Sequence, residues 1–555
     1  MFIGGFVHTL GCAYRVTRGM TEPDKEVTAD LLVIGGGITG AGIAQDAAAR
    51  GLKTILVEKG DFASGTSSRS SKLIHGGLRY LEQFSLGLMH ESVSERHILT
   101  QLAPGLVRWA PFLLPHFRGK SKKWRISLGL WLYDHLARTA EDLKHRRLTA
   151  EQVLHYAPGM RQEDLAGGAL YYDCVTDDAR LVLSVVLDAR ARGAQIHNYA
   201  GVEELVRKDG RAAGAVVRDA LTGESWRIRA RQIVSATGPW TDETLRALGE
   251  AREQKKIRPA KGVHILLRRD RLELHQVAYI PSARDERALF VIPWYEGILA
   301  GTTDTEYRGA PDEAYPERQD VDYILDALNW SFPRARVTVD DVISSYAGIR
   351  PLINVPGKST TDVPREYKIF ESPSGLISVA GGKLTTYRRM AKIVVDRVVR
   401  RLKAETKELP VLPSWTHRIR LGNPSEEGFN PFASAGLTED VRAHLLADYG
   451  VWARQVVSIL EVYPEWSRPL APGLPYILAE AHFAVTREQA RTLEDVLARR
   501  TRVTLLDPGQ GRECAEDVSR IMARELNWGE EERLRQLKQY NQALETKYRG
   551  ARFLK

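Results

Sequence analysis

The stretch DLLVIGGGITGAGIAQDAAARGLKTILVEKGD, Asp30–Asp61, decides the fold. Leu31 to Ile34 is a short apolar run suited to a strand buried on both faces. Gly35, Gly37 and Gly40 follow as G-x-G-x-x-G, Ile38 to Arg50 is Ala-rich and reads as a helix that Gly51 stops, and Thr54 to Val57 is a second strand ending at Glu58. Gly35 allows the tight turn, Gly37 lets a pyrophosphate approach the positive end of the helix, and Gly40 lets that helix lie close to the strand. Glu58 stands about 20 residues beyond the glycines, where a carboxylate binds a ribose 2′-hydroxyl. A carboxylate there argues against a 2′-phosphate, hence against NADP. The glycine motif alone is weak; strand, helix, second strand and terminal Glu in register make it a dinucleotide-binding βαβ unit.

The chain has 555 residues, more than one ordinary core holds, so two to four domains are expected. At 43% hydrophobic and 27% charged it is globular and not disordered. The net charge of +9 is modest for this size and fits an anionic substrate, an anionic membrane or nucleic acid without choosing among them. Cys12, Cys174 and Cys514 are widely spaced, which speaks against a disulfide framework and a zinc site and for a reducing compartment. No run of about 18 apolar residues exists to span a bilayer. Met1–Gly11 lacks the basic leader of a signal peptide, and Met20 reads as a natural start or residues 1–29 as a disordered extension.

Only one such βαβ unit is visible, whereas a flavoenzyme fed by NADH would usually need a second nucleotide site. It is followed by TSSRSSKLIHGGLRY, Thr66–Tyr80, in which serines, cations, a histidine and a Gly-Gly pair crowd together without apolar periodicity. One nucleotide site followed by a Ser-rich, basic loop suits a flavin, whose ring must extend into a substrate cavity.

The segments IGGGITGAGIAQDAAARG, SSKLIHGGLRYLE, DDARLVL, VSATGPW, KGVHILL, FVIPW, GTTDTEY, YAGIRPL, PREYKI and GGKLTTYR occur in the order found in the FAD-dependent, quinone-linked glycerol-3-phosphate dehydrogenases, of the D-amino-acid-oxidase-like flavoprotein superfamily. The chain resembles that family from about Asp30 to Arg389, and more loosely beyond. The resemblance implies oxidation of sn-glycerol 3-phosphate to dihydroxyacetone phosphate, non-covalent FAD, a membrane quinone as acceptor and a cytoplasmic enzyme peripheral on the inner face of the cell membrane. A homodimer stays open.

Such chemistry needs a held flavin, a clamped phosphate and an acceptor for the hydroxyl proton. The FAD-binding set expected is Gly35, Gly37, Ile38, Thr39, Gly40, Glu58, Lys59, Thr66, Ser67, Ser68, Ser71, Lys72, His75, Gly76, Gly77, Thr237, Gly238, Gly382, Lys383, Leu384 and Thr385. Ser67, Ser68, Ser71 and Lys72 supply hydroxyls, backbone N–H groups and a cation to flavin phosphate or ring oxygens. Gly76 and Gly77 permit close backbone approach. IVSATGPW, Ile233–Trp240, is an apolar strand whose end passes the flavin at Thr237 and Gly238. In SVAGGKLTTYRRMA, Ser378–Ala391, a strand turns at Gly381 and Gly382 into a helix start, where Lys383 can stabilise negative charge on a reduced flavin.

Forked guanidinium groups suit phosphate oxygens, so Arg79, Arg350 and Arg365, with Tyr80 beside Arg79, form the expected substrate-binding set. The catalytic set is His264, Arg350 and Lys383. His264 in KGVHILL is the proton acceptor by chemical type, although a core histidine is the competing account, and Arg350 or Lys383 can instead steer a water to that role.

The fold class expected is α/β: a Rossmann-like FAD-binding domain (30–105 with 175–256 and 367–407), an antiparallel β cap over the substrate (106–174 and 257–366), a Pro-rich linker (408–415) and an all-α C-terminal domain (416–555). Helix patterns there cover Thr438–Tyr449, Val451–Leu460, Ile477–Phe483, Arg487–Arg499, Glu513–Leu526 and Glu530–Thr546, with no catalytic cluster. Between Gly105 and Tyr133 there are basic residues and no acid; Arg118, Lys120, Lys122, Lys123 and Arg125 beside Trp124 and Trp131 suit an anionic bilayer surface, or equally a solvated helix. Two other functions stay open. One is a glycerol-3-phosphate oxidase using oxygen, for which the insertion typical of such relatives is not seen. The other is a flavin-bearing nucleic-acid-binding protein, which the interleaved acids disfavour.

Overall fold

The computed structural model describes residues 26–77, 86–118, 141–251, 254–285, 287–357, 363, 365–422, 432 and 436–555. The βαβ unit forms as its sequence dictates: β1 (Val27–Ile34), α1 (Ile38–Ala49) and β2 (Thr54–Val57), with β1 and β2 parallel. Leu31 and Val33 pack on α1 and on helices Asp178–Ala191 and Tyr387–Glu405, while Leu32 and Ile34 pack on the opposite face with Leu205, Val217 and Leu245. Both faces of the apolar run are therefore buried, and each such side chain contributes about 1.5–3 kcal/mol. The small residues of α1 allow close packing: a Cβ on Gly42 would stand 2.8 Å from the Tyr387 ring.

The sheet runs in the order Tyr367–Glu371, Ile377–Gly381, Ser225–Ser235, β1, β2, Gln195–His197, parallel except for Tyr367–Glu371. Strands Ala200–Lys208 and Arg211–Asp219 extend it as an antiparallel hairpin on Ser225–Arg229.

A second sheet is mostly antiparallel. Its order is Thr305–Glu306, Ile257–Arg268, Gly297–Gly301, Ala288–Trp294, Val277–Pro281, Arg108–Phe117, Leu165–Val175, Leu73–Ile74, and Val342–Ile353 pairs along the length of Ile257–Arg268. Helix Arg318–Ser331 covers its outer face through Val321, Ile324 and Leu328, which pack on Val263, Ile265 and Leu267. After Thr438 the chain is helical, with Glu439–Tyr449, Ala453–Val462, Leu478–Glu488, Arg512–Leu526 and Glu530–Thr546 as its long elements.

Four expectations need correction. Residues 27–29, assigned to a disordered extension, belong to β1 and pair with Ile228–Ala230. Leu73 and Ile74, assigned to the dinucleotide domain, pair with Val175 and Cys174 of the second sheet. No helix runs over Arg487–Arg499: the preceding helix ends at Glu488, Gln489 turns left-handed (φ 56°), and a short π-helix occupies Asp495–Arg500. Arg108–Phe117, the start of the basic tract, is a strand of the cap sheet, paired with Leu165–Val175. The cluster from Lys120 to Arg125, with Trp124 and Trp131, lies outside the described residues, as does most of the extension before Val27.

Candidate active site

The glycine turn is fixed by sterics. Gly35 has φ +112°, and a Cβ there would lie 2.6 Å from the Ala236 carbonyl oxygen. A Cβ on Gly40 would meet the Gly35 carbonyl oxygen at 1.8 Å, so only glycine lets α1 start this close to β1. A Cβ on Gly37, the N-cap of α1, would meet only the Ser67 side chain, with Oγ at 3.1 Å. The Ile38 N–H donates to Ser67 Oγ at 3.0 Å, and no acidic side chain occupies the first turn of α1. The helix therefore offers its positive end and a hydroxyl to an anion. Glu58 accepts from the backbone N–H of Gly36 at 2.6 Å and of Gly60 at 2.8 Å. Burial raises its carboxyl above the usual range, against those two bonds and the Lys59 charge.

These residues wall a cavity of about 780 Å³. Gly35, Gly37, Ile38, Thr39, Glu58, Lys59, Thr66, Ser67, Thr237, Gly238, Gly382, Lys383 and Leu384 line it. Lys59 sits at the rim, its Nζ 2.8 Å from Asp312 of the cap and 4.3 Å from the Trp240 ring centroid. Gly40 lies beneath the wall, in the helix–strand contact. His75, Gly76 and Thr385 stand together beside it: the His75 N–H donates to Thr385 Oγ1 at 3.2 Å and the Gly76 N–H to Asp173 at 3.2 Å. Gly77 continues this segment with φ +80°. Burial, then the charges of Lys383, Arg365 and Arg96, push the His75 imidazole down to about 3.

Lys72 does not reach the cavity as expected. Its Nζ is buried against Asp178 Oδ1 at 2.5 Å and donates to the Ser68 carbonyl at 3.1 Å, so the cation and Ser68 close the loop on itself. Asp178 also accepts from the Ser70 N–H at 3.0 Å and Ser70 Oγ at 2.7 Å. Nothing local to Lys72 points to this partner, a residue far along the chain.

The cap presents one face to this loop. In the paired strands His264 stands opposite Tyr346, Gly262 opposite Gly348 and Ala260 opposite Arg350, and the period of two puts all six on one side. A Cβ on Gly348 would lie 2.3 Å from the Arg69 carbonyl oxygen, so the glycines admit the loop. Thr66 Oγ1 donates to the Ile349 carbonyl at 2.6 Å, Tyr346 OH to the Ser70 carbonyl at 2.8 Å, and Ser71 Oγ lies 2.9 Å from His264 Nε2. His264 stacks on Tyr346 with ring centroids 5.1 Å apart, and its buried Nδ1 has no hydrogen-bond partner among the described residues. Burial, then the charges of Arg350 and Lys72, hold it well below the usual imidazole range, so it is neutral.

Arg350 spans Asp304, at 3.0 Å from Nη1, and Thr302 Oγ1, at 2.9 Å from Nη2. Lys383 Nζ donates to Ser92 Oγ at 2.7 Å; burial, then the Arg365 charge, lowers its ammonium to about 7. Arg365, just before strand Tyr367–Glu371, thus stands near Lys383 and His75. Arg79 and Tyr80 lie outside the described residues. The loop and the cap face bring a neutral histidine and the Arg350 guanidinium together, while the turn after strand Ile377–Gly381 sets Lys383 in the wall of the cavity. No cluster of metal-ligating side chains occurs among the described residues.

The comparisons with known proteins agree with this geometry. Residues 30–397 match the family model of FAD dependent oxidoreductases, and 405–533 that of the C-terminal domain of alpha-glycerophosphate oxidase. The chain is 39% identical over 529 residues to the glycerol-3-phosphate dehydrogenase of Mycobacterium leprae, covering 93% of this chain and 88% of that one. It is 36% identical to the aerobic glycerol-3-phosphate dehydrogenase of Bacillus subtilis, covering 95% and 96%. The crystal structure of the glycerol-3-phosphate dehydrogenase from Bacillus halodurans complexed with FAD superposes with a TM-score of 0.76 at 36% identity, over 94% of this chain and 95% of that chain. The open helix start at Gly37, the Ser67 hydroxyl and the Glu58 carboxylate fit FAD, the cofactor of this family. The chain belongs to the FAD-dependent oxidoreductases and, within them, to the glycerol-3-phosphate dehydrogenases.

Proposed function

We propose that this chain oxidises sn-glycerol 3-phosphate to dihydroxyacetone phosphate and passes the electrons to a membrane quinone. The observation that carries the reading is the shared cap face: His264 and Arg350 stand on one side of two paired strands, against the loop that lines the cofactor cavity. FAD, when bound, supplies the hydride acceptor. His264 accepts the hydroxyl proton. Arg350 and Arg365, with Arg79 and Tyr80, hold the phosphate, the fork of each guanidinium matching its oxygens. Lys383, whose ammonium titrates near neutrality, balances negative charge that develops beside it. The names of the relatives, glycerol-3-phosphate dehydrogenase and aerobic glycerol-3-phosphate dehydrogenase, support the substrate.

Quinones dissolve in the bilayer, so the enzyme would meet the membrane from one side, peripherally on the cytoplasmic face. Among the described residues no helix is long and apolar enough to cross a membrane. Oxygen as acceptor is the second reading, favoured by the match of residues 405–533 to a domain named for an oxidase. The test is anaerobic addition of glycerol 3-phosphate to the yellow protein. Bleaching supports the substrate, and its absence overturns the reading. Recolouring by a soluble quinone but not by air supports the dehydrogenase; rapid recolouring by air with release of peroxide supports the oxidase.

A further inference from the structure

The C-terminal segment Ala498–Arg502, ARRTR, shows nothing but charge in the sequence, yet its arginines are almost wholly buried: Arg499 is 4% exposed, Arg500 1% and Arg502 3%. Arg500 grips Asp61 with both guanidinium nitrogens, Nη1 on Oδ2 and Nη2 on Oδ1 at 2.8 Å. Arg499 Nε donates to the same Asp61 Oδ2 at 2.7 Å. Burial pushes the Asp61 carboxyl up, but the two arginines outweigh it and hold it ionised. Asp61 closes the turn that begins at Glu58, and two residues on the Ala63 N–H donates to the Gly36 carbonyl at 3.1 Å, tying that turn to the glycine motif.

Arg502 reaches a second place. Its Nε donates to Asp177 Oδ2, and its Nη2 to Asp448 at 2.6 Å. Asp177 caps helix Asp178–Ala191 by accepting from the Arg180 N–H at 3.0 Å. The next residue, Asp178, holds Ser70 and Lys72 of the serine loop. One short segment of the C-terminal domain thus fixes both loops of the cavity, the ribose turn through Asp61 and the serine loop through Asp177 and Asp178.

We propose that Arg500 and Arg502 are positioning residues for FAD, beside Arg499, which also lines the cavity, so that the C-terminal domain sets cofactor affinity without supplying a reacting group. Buried ion pairs are poor stabilisers compared with apolar packing, but a forked pair fixes geometry, and loops fixed before binding do not have to be ordered by the ligand. The inference rests on FAD as cofactor and not on the identity of the alcohol, so it stands or falls independently of the proposed substrate.

The test is the FAD dissociation constant, from flavin fluorescence quenching as FAD is titrated into the full-length apoprotein. Arg500→Lys keeps the charge and loses the fork; Asp61→Asn keeps the shape and loses the charge. Both should bind FAD about tenfold more weakly, a usual size for coupling between linked sites. Glu516→Gln is the control: it breaks an ion pair of the same domain, with Arg533 and Arg520, that touches neither loop nor Arg502, and should leave FAD affinity unchanged. Wild-type affinity in folded Arg500→Lys overturns the proposal. Should the variants not fold, the wild-type protein answers by hydrogen exchange. Coupling is reciprocal, so FAD should slow exchange at the Thr501 and Leu505 amides, whose residues do not line the cavity. Equal exchange with and without FAD also overturns it.

Discussion

Ser71 Oγ lies 2.9 Å from Nε2 of His264, a hydrogen bond from the serine-rich loop to the middle of the longest pairing in the cap sheet. With Tyr346 stacked on one face of the ring, that bond fixes the orientation of the imidazole. Loop and cap therefore hold the proposed proton acceptor between them, and neither alone would.

His264→Asn should lower kcat by roughly two to four orders of magnitude, the range for loss of a positioned base, with the flavin absorbance spectrum retained. Ser71→Ala frees the ring but keeps the base, and should cost about tenfold in kcat through misplacement alone. Because burial and neighbouring cations depress its pKa, His264 stays neutral through pH 6.5. Any acid loss of kcat/KM assigned to it must fall well below that value. A kcat unchanged in His264→Asn removes it from catalysis.

The two glycines of the turn should behave differently. Gly40→Ala drives a methyl into the Gly35 carbonyl, where a Cβ would lie at 1.8 Å, and the backbone cannot yield without parting α1 from β1. Overpacking of this kind costs about 1–3 kcal/mol or more, so thermal denaturation should show a clear loss of stability even without FAD. Gly37→Ala meets only the Ser67 side chain and should spare apoprotein stability while weakening FAD, by filling the space a pyrophosphate approaches. Equal stability losses in both variants would contradict this division.

How legible was this site? The βαβ unit was readable because its constraints are local: strand, glycines, helix and Glu58 follow one another, and Gly35 and Gly40 answer to clashes with the adjoining strand and within the unit. His264 and Arg350 could be picked by chemical type and by their place in alternating strands, but not their pairing. Opposing Ala260 to Arg350 and His264 to Tyr346 depends on a register set between segments far apart in the chain. Lys72 was misread for the same reason, since its counter-ion, Asp178, lies beyond an entire cap strand. Arg499 stood at the end of the helix pattern read over Arg487–Arg499, with no partner in view. Asp61 draws it and Arg500 inward, and that helix pattern gives way to a left-handed turn and a π-helix.

Arg350→Lys should raise KM for glycerol 3-phosphate by about tenfold or more while FAD stays bound. Both Nη nitrogens of the guanidinium are engaged, by Asp304, Thr302 Oγ1 and the Thr303 carbonyl, which fixes its plane. Lysine keeps the charge but is a point donor that cannot hold that plane, and a bidentate phosphate contact is not conserved by the change. Steady-state kinetics checks it, and an unchanged KM removes Arg350 from the phosphate clamp.

Lys383 supplies a prediction whose sign follows from linkage. Burial first, then the Arg365 charge, lowers its ammonium from the ordinary 10.5 to about 7 in the folded protein. In the unfolded chain the group takes up its proton as pH falls through 10.5, while in the folded protein it waits until about 7. The unfolded state therefore binds more protons across this window, and stability rises with pH there. The contribution of Lys383 is fully present above pH 10.5, is lost progressively as pH falls, and is flat below about 7. Lys383→Met removes the titration and keeps the length of the side chain. Comparing apoprotein unfolding midpoints at pH 7 and pH 10, the variant should gain on the wild type at pH 7 relative to pH 10, the pH at which wild-type Lys383 is neutral in the fold and Met is its closest mimic. A wild-type minus variant difference that is the same at both pH values would show that Lys383 keeps an ordinary ammonium, and would remove it as a group that changes charge near neutral pH beside the flavin cavity.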